Sequence, residues 1–132
     1  GSIRSAQWIK GGIALGPKPR SYNYTLPKKV KRLALKSAFT TKASANEIIV
    51  LDSLKMEEYK TKEMIKVLDN LKVESSALIV TAEKCDKIVK SAANLQGIST
   101  ALTNTINVYD IMKHNTLILT KDAVEKIEEV YA

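Results

Sequence analysis

Short apolar runs alternate with amphipathic segments over the chain from residue 47 onward. The apolar runs are continuous and aliphatic, as in strands that are buried on both faces of a parallel sheet. They cover residues 48–51, 78–80, 117–119 and, more weakly, 99–103. Apolar side chains recur at helical spacing in the segments 61–71, 84–94 and 121–131. Strands that alternate with helices predict an α/β fold, with a three-layer arrangement and a mostly parallel sheet of about four strands and flanking helices.

A basic helix is predicted ahead of the first strand, over residues 28–43, with Pro27 near its first turn. Its apolar and small side chains recur at spacings of three and four and predict the buried face: Val30, Leu33, Ala34, Ser37, Ala38 and Thr41. The opposite face is basic, with Lys28, Lys29, Arg32 and Lys36 at its centre and Lys31 and Lys42 at its margin. Leu35 and Phe39 fall on this basic side. Either something covers them there, or they are two solitary exposed apolar residues.

Residues 1–27 lack helical or strand periodicity. Glycine and proline recur too densely for a helix, so an extended arm with local turns is expected before the domain at residues 28–132. The chain reaches its first acidic residue only at Glu47, after ten basic ones. The net charge of +7 is therefore the sum of about +10 before Glu47 and −3 after it.

The arm is not composed like a solvated tail, because aromatic and aliphatic residues lie among its charges. Cations that neutralise phosphates, interleaved with rings that can stack on bases, are what a polyanion-binding arm requires. Trp8, Tyr22 and Tyr24 are the candidate stacking residues. The alternative is that these rings are packing anchors for the arm itself. We expect such an arm to be disordered alone and to fold on its ligand.

The sequence contains no residue pattern that supports an enzyme. Asp52, Thr81 and Lys121 follow successive strands, as in phospho-acceptor receiver domains, but the magnesium-binding carboxylates of an earlier strand end have no counterpart before Glu47. Cys85 and His114 are each the only residue of their type, so neither a disulfide within the chain nor a Cys/His metal site is expected. No apolar run approaches the length of a membrane span. We expect no cofactor, no metal and no catalytic residue.

Several motifs in order resemble bacterial large-subunit ribosomal protein L-four. The N-terminal ones are Gly1-Ser2-Ile3-Arg4-Ser5, Gln7-Trp8, Gly11-Gly12, Gly16-Pro17-Lys18-Pro19-Arg20-Ser21-Tyr22 and Leu26-Pro27-Lys28-Lys29-Val30-Lys31-Arg32-Leu33-Ala34. The later ones include Ile49-Val50-Leu51-Asp52, Leu78-Ile79-Val80-Thr81, Asn107-Val108-Tyr109-Asp110-Ile111 and Leu119-Thr120-Lys121-Asp122-Ala123. Any one of these motifs alone would be weak, but the ordered series runs along the whole chain and is specific.

The resemblance implies a structural protein of the large ribosomal subunit, with a globular domain and a long basic loop threaded through ribosomal RNA. Large-subunit ribosomal RNA and neighbouring ribosomal proteins are the implied partners, without a membrane or a small-molecule substrate, and the cytoplasmic ribosome is the implied location. A feedback role in translation or transcription is compatible with the resemblance. The family's N-terminal third has no counterpart here, so we expect only the returning arm of the loop and a sheet with an exposed edge.

The RNA contacts that the resemblance and the charge pattern together predict are concentrated before residue 37. They are Arg4, Trp8, Lys10, Lys18, Arg20, Tyr22, Lys28, Lys29, Lys31, Arg32 and Lys36. Two other interpretations stay open. One is a generic nucleic-acid binder whose arm happens to resemble the family, and the other is a phosphate-handling α/β domain that uses Asp52, Thr81 and Lys121.

Overall fold

The computed structural model describes residues 1–73 and 75–131. The helices among these residues are α1 (Lys28–Ser44), α2 (Thr61–Asn70), α3 (Asp86–Ala92), α4 (Val108–Lys113) and α5 (Lys121–Tyr131). The strands are β1 (Ile48–Leu51), β2 (Ala77–Thr81), β3 (Ile98–Leu102) and β4 (Thr116–Thr120). All four strands pair in parallel, in the order β1-β4-β2-β3. The predicted α/β fold with a parallel sheet of about four strands is therefore confirmed.

The sheet separates two apolar clusters, which makes the domain three-layered. On one face, Ala38 of α1, Ile111 of α4 and Ala123 of α5 pack against side chains of the two central strands, such as Leu78 and Leu117. On the other face, α2 and α3 pack against the alternate side chains of the same strands. Successive strand residues point to opposite faces, so each central strand serves both clusters.

Burial on both faces holds for the central strands but not for the first one. The apolar residues of β2 and β4 are buried, whereas Val50 of β1 is 56% exposed. The topology explains this difference, because β1 pairs only with β4 and forms an edge of the sheet. The sequence pattern alone does not distinguish an edge strand from a central one.

The buried face of α1 differs from the predicted one, and that prediction is wrong. Leu35 and Phe39 pack on the first cluster beside Ala38. The remaining members of the predicted face are all exposed: Val30, Leu33, Ala34, Ser37 and Thr41. Both faces have helical spacing, but the face with Leu35 and Phe39 buries larger side chains where α1 meets the domain, and burial of apolar area is favourable. Something does cover Leu35 and Phe39, and it is the chain's own core.

The helix α4 is absent from the sequence prediction. Six residues are too few for a helical periodicity to be recognised, but Asn107 is a capping signal: its side chain accepts a hydrogen bond from the Asp110 amide at 2.8 Å.

His114 directly follows α4 and is buried. Its Nδ1 donates to the Asp110 carbonyl at 2.8 Å, which leaves Nε2 to accept from the Ser99 hydroxyl at 3.0 Å. Both ring nitrogens are therefore already engaged.

No helix within residues 1–73 and 75–131 is long and apolar enough to cross a membrane.

Candidate nucleic-acid interface

Residues 1–27 are all described, and none of them lies in a helix or a strand. The arm is nevertheless not uniformly extended, because residues 2–12 form consecutive turns closed by a backbone hydrogen bond from Gly12 to the Arg4 carbonyl at 2.7 Å. Residues 17–27, which include all three prolines, have no regular structure. The turns are concentrated at the N-terminal end of these residues.

The aromatic side chains of the arm are exposed. Trp8 is 57% exposed, and Tyr22 and Tyr24 are exposed further along. The Arg20 guanidinium lies over the Tyr22 ring, 4.4 Å from the ring centre, in a cation–π arrangement. One face of the Tyr22 ring is thus covered by Arg20, so a base can stack on this ring only from the other face. The Trp8 ring belongs to neither apolar cluster of the domain.

The N-terminal half of α1 extends beyond the domain. Every residue from 28 to 34 is exposed, so no side of this half-helix is buried. Lys28 and Lys31 lie on the same side of α1 as Leu35 and Lys42, which face the domain further along the helix. Lys29 lies on the side that faces away from the domain. At 3.6 residues per turn, Lys28, Lys29, Lys31 and Arg32 lie within about half of the helix circumference, and Val30, Leu33 and Ala34 lie on the other half.

Lys42 differs from the other early cations because it is only 6% exposed. Its ammonium group donates to a Glu47 carboxylate oxygen at 2.5 Å and to the Asn115 carbonyl at 3.0 Å. These bonds join the end of α1 to the start of β1 and to the loop before β4. Lys42 is therefore a structural cation, and it is not available to a phosphate.

Replacing Lys42 by alanine is expected to lower the free energy of unfolding by about 1–3 kcal/mol, because it removes two hydrogen bonds to a charged group. RNA affinity and its salt dependence should stay unchanged at temperatures where the variant is folded. Urea denaturation and a salt titration of RNA binding check the two parts. A normal stability together with a weaker salt dependence would instead place Lys42 at the interface.

The remaining early cations carry no ion pair in the part of the chain that the structure describes. Every ion pair among those residues uses a cation at Lys42 or later. The nine exposed cations before it are Arg4, Lys10, Lys18, Arg20, Lys28, Lys29, Lys31, Arg32 and Lys36. Because no carboxylate precedes Glu47, this surface carries an uncompensated positive potential that favours an anionic partner.

The strand-end residues do not form a comparable site. Asp52 and Lys121 are exposed, and the Thr81 hydroxyl donates to the Glu83 carbonyl at 2.9 Å. No group of three or more His, Cys, Asp or Glu side chains that could hold a metal ion occurs within residues 1–73 and 75–131. Within the described residues, these strand ends therefore lack the carboxylate cluster that a magnesium-dependent phospho-acceptor site requires.

Comparison with known proteins supports the family resemblance. The profile described as the ribosomal protein L4/L1 family matches residues 1–130. The chain is 67% identical over 132 residues to large ribosomal subunit protein uL4 of Ruminiclostridium cellulolyticum and 63% identical over 132 residues to that of Alkaliphilus oremlandii. Each alignment covers 100% of this chain but 64% of the relative, so the chain spans about two thirds of their length. The chain belongs to the ribosomal protein L4/L1 family.

Proposed function

We propose that this member of the family is a structural constituent of the large ribosomal subunit that binds large-subunit ribosomal RNA in the cytoplasm. The observation that carries the proposal is the set of nine exposed cations from Arg4 to Lys36, which form no ion pair among the residues that the structure describes, in a chain whose relatives are named large ribosomal subunit proteins. The function needs no catalytic step and no cofactor. Residues 1–27 act as the RNA-binding arm, and residues 28–132 act as the globular domain that anchors it.

Electrostatic attraction supplies most of the affinity in this proposal. Arg4 and Arg20 can each contact a phosphate through two parallel hydrogen bonds, whereas Lys10 and Lys18 act as compact point charges. Each neutralised phosphate releases counterions, so the affinity depends steeply on salt. The Gly and Pro residues disfavour a regular helix or strand, so the irregular backbone of the arm is suited to an irregular RNA surface.

The protruding half of α1 is the second contact region. Because Lys28, Lys29, Lys31 and Arg32 share one side of the helix, this half can lie with that side against a phosphate backbone. Lys36 continues the contact on the outward side. The recognition is mainly of shape, because the cations reach backbone phosphates and not base edges.

Neighbouring large-subunit ribosomal proteins are the second class of partner that we propose. The outward side of α1 exposes Val30 and Leu33, which lie three residues apart in the helix. An apolar stripe at this spacing is suited to a protein neighbour. These contacts add to the RNA contacts and do not replace them.

Ultraviolet crosslinking of the chain to total bacterial RNA, followed by mapping of the bound sites, tests the proposal. We expect crosslinks at one region of large-subunit ribosomal RNA, with the crosslinked peptides drawn from residues 1–36. Crosslinks spread over unrelated RNAs in proportion to their abundance would favour the generic nucleic-acid binder. Crosslinks confined to residues 47–132 would contradict the proposed interface.

Trp8 is expected to stack on an unpaired base of the RNA. Trp8→Ala should lower the binding free energy by about 1–3 kcal/mol and leave the salt dependence unchanged, because it removes a stacking ring and no charge. Trp8 is the only tryptophan, so its fluorescence should be quenched readily by acrylamide in the free chain and protected in the complex. Tyr59 has the same 57% exposure but lies in the domain, so Tyr59→Ala is the matched control. Equal losses in the two variants would argue against stacking at Trp8.

A further inference from the structure

We infer that residues 2–12 form a preformed RNA-binding turn and that Gly11 is the positioning residue that allows it to close. The inference rests on the proposed function and deepens it. It assigns the part of the arm that receives an unpaired nucleotide of the RNA, with Trp8 for its base and Arg4 and Lys10 for the adjoining phosphates. It also departs from the expectation that the whole arm is disordered until RNA binds.

Four backbone hydrogen bonds define the turn. The amides of Ser5, Trp8 and Gly11 each donate to the carbonyl three residues earlier, at 3.1, 3.0 and 2.9 Å. The Gly12 amide then donates to the Arg4 carbonyl at 2.7 Å and joins the two ends of the segment. Local bonds of this kind can form without any ligand, because every donor and acceptor lies within the segment.

Gly11 lies against the backbone of the first turn. A Cβ atom at this position would be 2.0 Å from the Ser5 carbonyl oxygen and 2.9 Å from the Trp8 carbonyl oxygen. Both neighbours are backbone atoms, and both already accept hydrogen bonds of the turn. Neither can move away without breaking the turn, so any side chain at residue 11 opens it.

The residue before Gly11 directs the chain into this close approach. Lys10 has a φ of 62°, which is in the left-handed region that non-glycine residues seldom adopt. This backbone conformation reverses the chain after Trp8 and brings Gly11 back onto Ser5. The same reversal fixes the backbone positions from which Trp8 and Lys10 project.

The turn presents its side chains to solvent rather than to the domain. Arg4, Trp8 and Lys10 are exposed, and Ile9 beside them is almost fully exposed. The turn therefore does not contribute to the core, and its closure has no evident role in folding the domain. A ligand that meets an already closed turn avoids the entropic cost of ordering it, which strengthens binding without a new contact.

Gly11→Ala tests the inference in the full chain, with in-vitro transcribed bacterial large-subunit ribosomal RNA as the probe. We expect roughly tenfold weaker binding with an unchanged salt slope, because the substitution opens the turn but removes no charge. Protection of Trp8 fluorescence by the RNA should fall as well. Gly16→Ala is the matched control, since its added methyl group would meet only the movable Ile13 side chain. The control should bind within about twofold of the original chain.

Hydrogen exchange in the free chain gives a readout that does not depend on RNA. The Gly12 amide should exchange slowly in the original chain and in Gly16→Ala, and rapidly in Gly11→Ala. Rapid exchange in the original chain, or unchanged RNA affinity in Gly11→Ala, would overturn the inference. Failure of the original chain to bind ribosomal RNA would instead overturn the proposed function, whatever the exchange rates show.

Discussion

Replacing Lys28, Lys29, Lys31 and Arg32 together by glutamine is expected to weaken RNA binding about a thousandfold at 0.1 M salt. Each phosphate contact contributes about 0.9 to the slope of log affinity against log salt, so four lost contacts lower this slope by about three to four. The affinities of the two proteins should therefore converge as the salt concentration approaches 1 M. A filter-binding titration at several salt concentrations measures both quantities.

The matched control removes the same charge from the domain. Lys62, Lys66, Lys113 and Lys121 are exposed, so their replacement by glutamine tests whether net charge alone sets the affinity. We expect a much smaller loss and nearly the original salt slope. Equal losses in the two quadruple variants would show that binding is a diffuse charge effect and would contradict an interface at residues 1–36.

The original chain should itself lose about a thousandfold or more in affinity between 50 and 200 mM salt, if six or more phosphates are contacted.

The structure also sets the boundary for a deletion that would remove the RNA-binding residues. Residues 28–34 are exposed, whereas Ala38, Phe39 and Lys42 belong to the packed domain. Deletion through residue 34 would remove most of the proposed interface and leave the core intact, whereas deletion through Asn46 would remove part of the core as well.

The second large effect concerns the stability of the domain. Phe39→Ala should lower the free energy of unfolding by about 2–3 kcal/mol, at or below the lower limit for phenylalanine truncation because the ring is only partly buried. Leu33→Ala should change it by less than about 0.5 kcal/mol, because Leu33 is 68% exposed. For a domain of this size each kcal/mol lowers the melting temperature by roughly 4–8 °C. Calorimetry of the two variants distinguishes the observed buried face of α1 from the face that the sequence pattern predicted.

A larger loss of stability in Leu33→Ala than in Phe39→Ala would support the buried face that the sequence predicted. If Leu33→Ala were the destabilising change and Phe39→Ala were neutral, α1 would pack through Val30, Leu33 and Ser37. RNA affinity provides an independent check, because neither residue carries a charge. Both variants should retain the original salt slope.

Secondary structure in the domain was predictable where the chain has a strong local signal. The continuous runs at β1, β2 and β4 and the periodic segments at α2 and α5 identified these elements close to their observed bounds. The weaker candidate at residues 99–103 corresponds to β3. The helix α4 was missed because six residues span fewer than two turns, and only the Asn107 capping signal marks it.

The candidate interface was predictable in composition but not in geometry. The sequence shows that ten early cations precede all the carboxylates of its side chains. It also shows the family resemblance, which suggests RNA as the partner of these cations. The sequence could not show that Lys42 differs from the other nine, because its partners are Glu47 and the carbonyl of Asn115, which is distant in sequence. The closed turn at residues 2–12 has no periodicity that would reveal it. Its only trace in the sequence is the Gly11-Gly12 pair.

By itself, the sequence determined the α/β alternation, the parallel sheet and the division of the chain into a basic part and a mixed part. These properties depend on residue types and spacings along the chain, which are local. Only the tertiary structure decided which side of α1 is buried, that β1 lies at an edge, and which early cation is structural. Each of these outcomes depends on what lies opposite a side chain in space. Helical spacing is equally compatible with both faces of α1, and the larger side chains opposite the sheet decide between them.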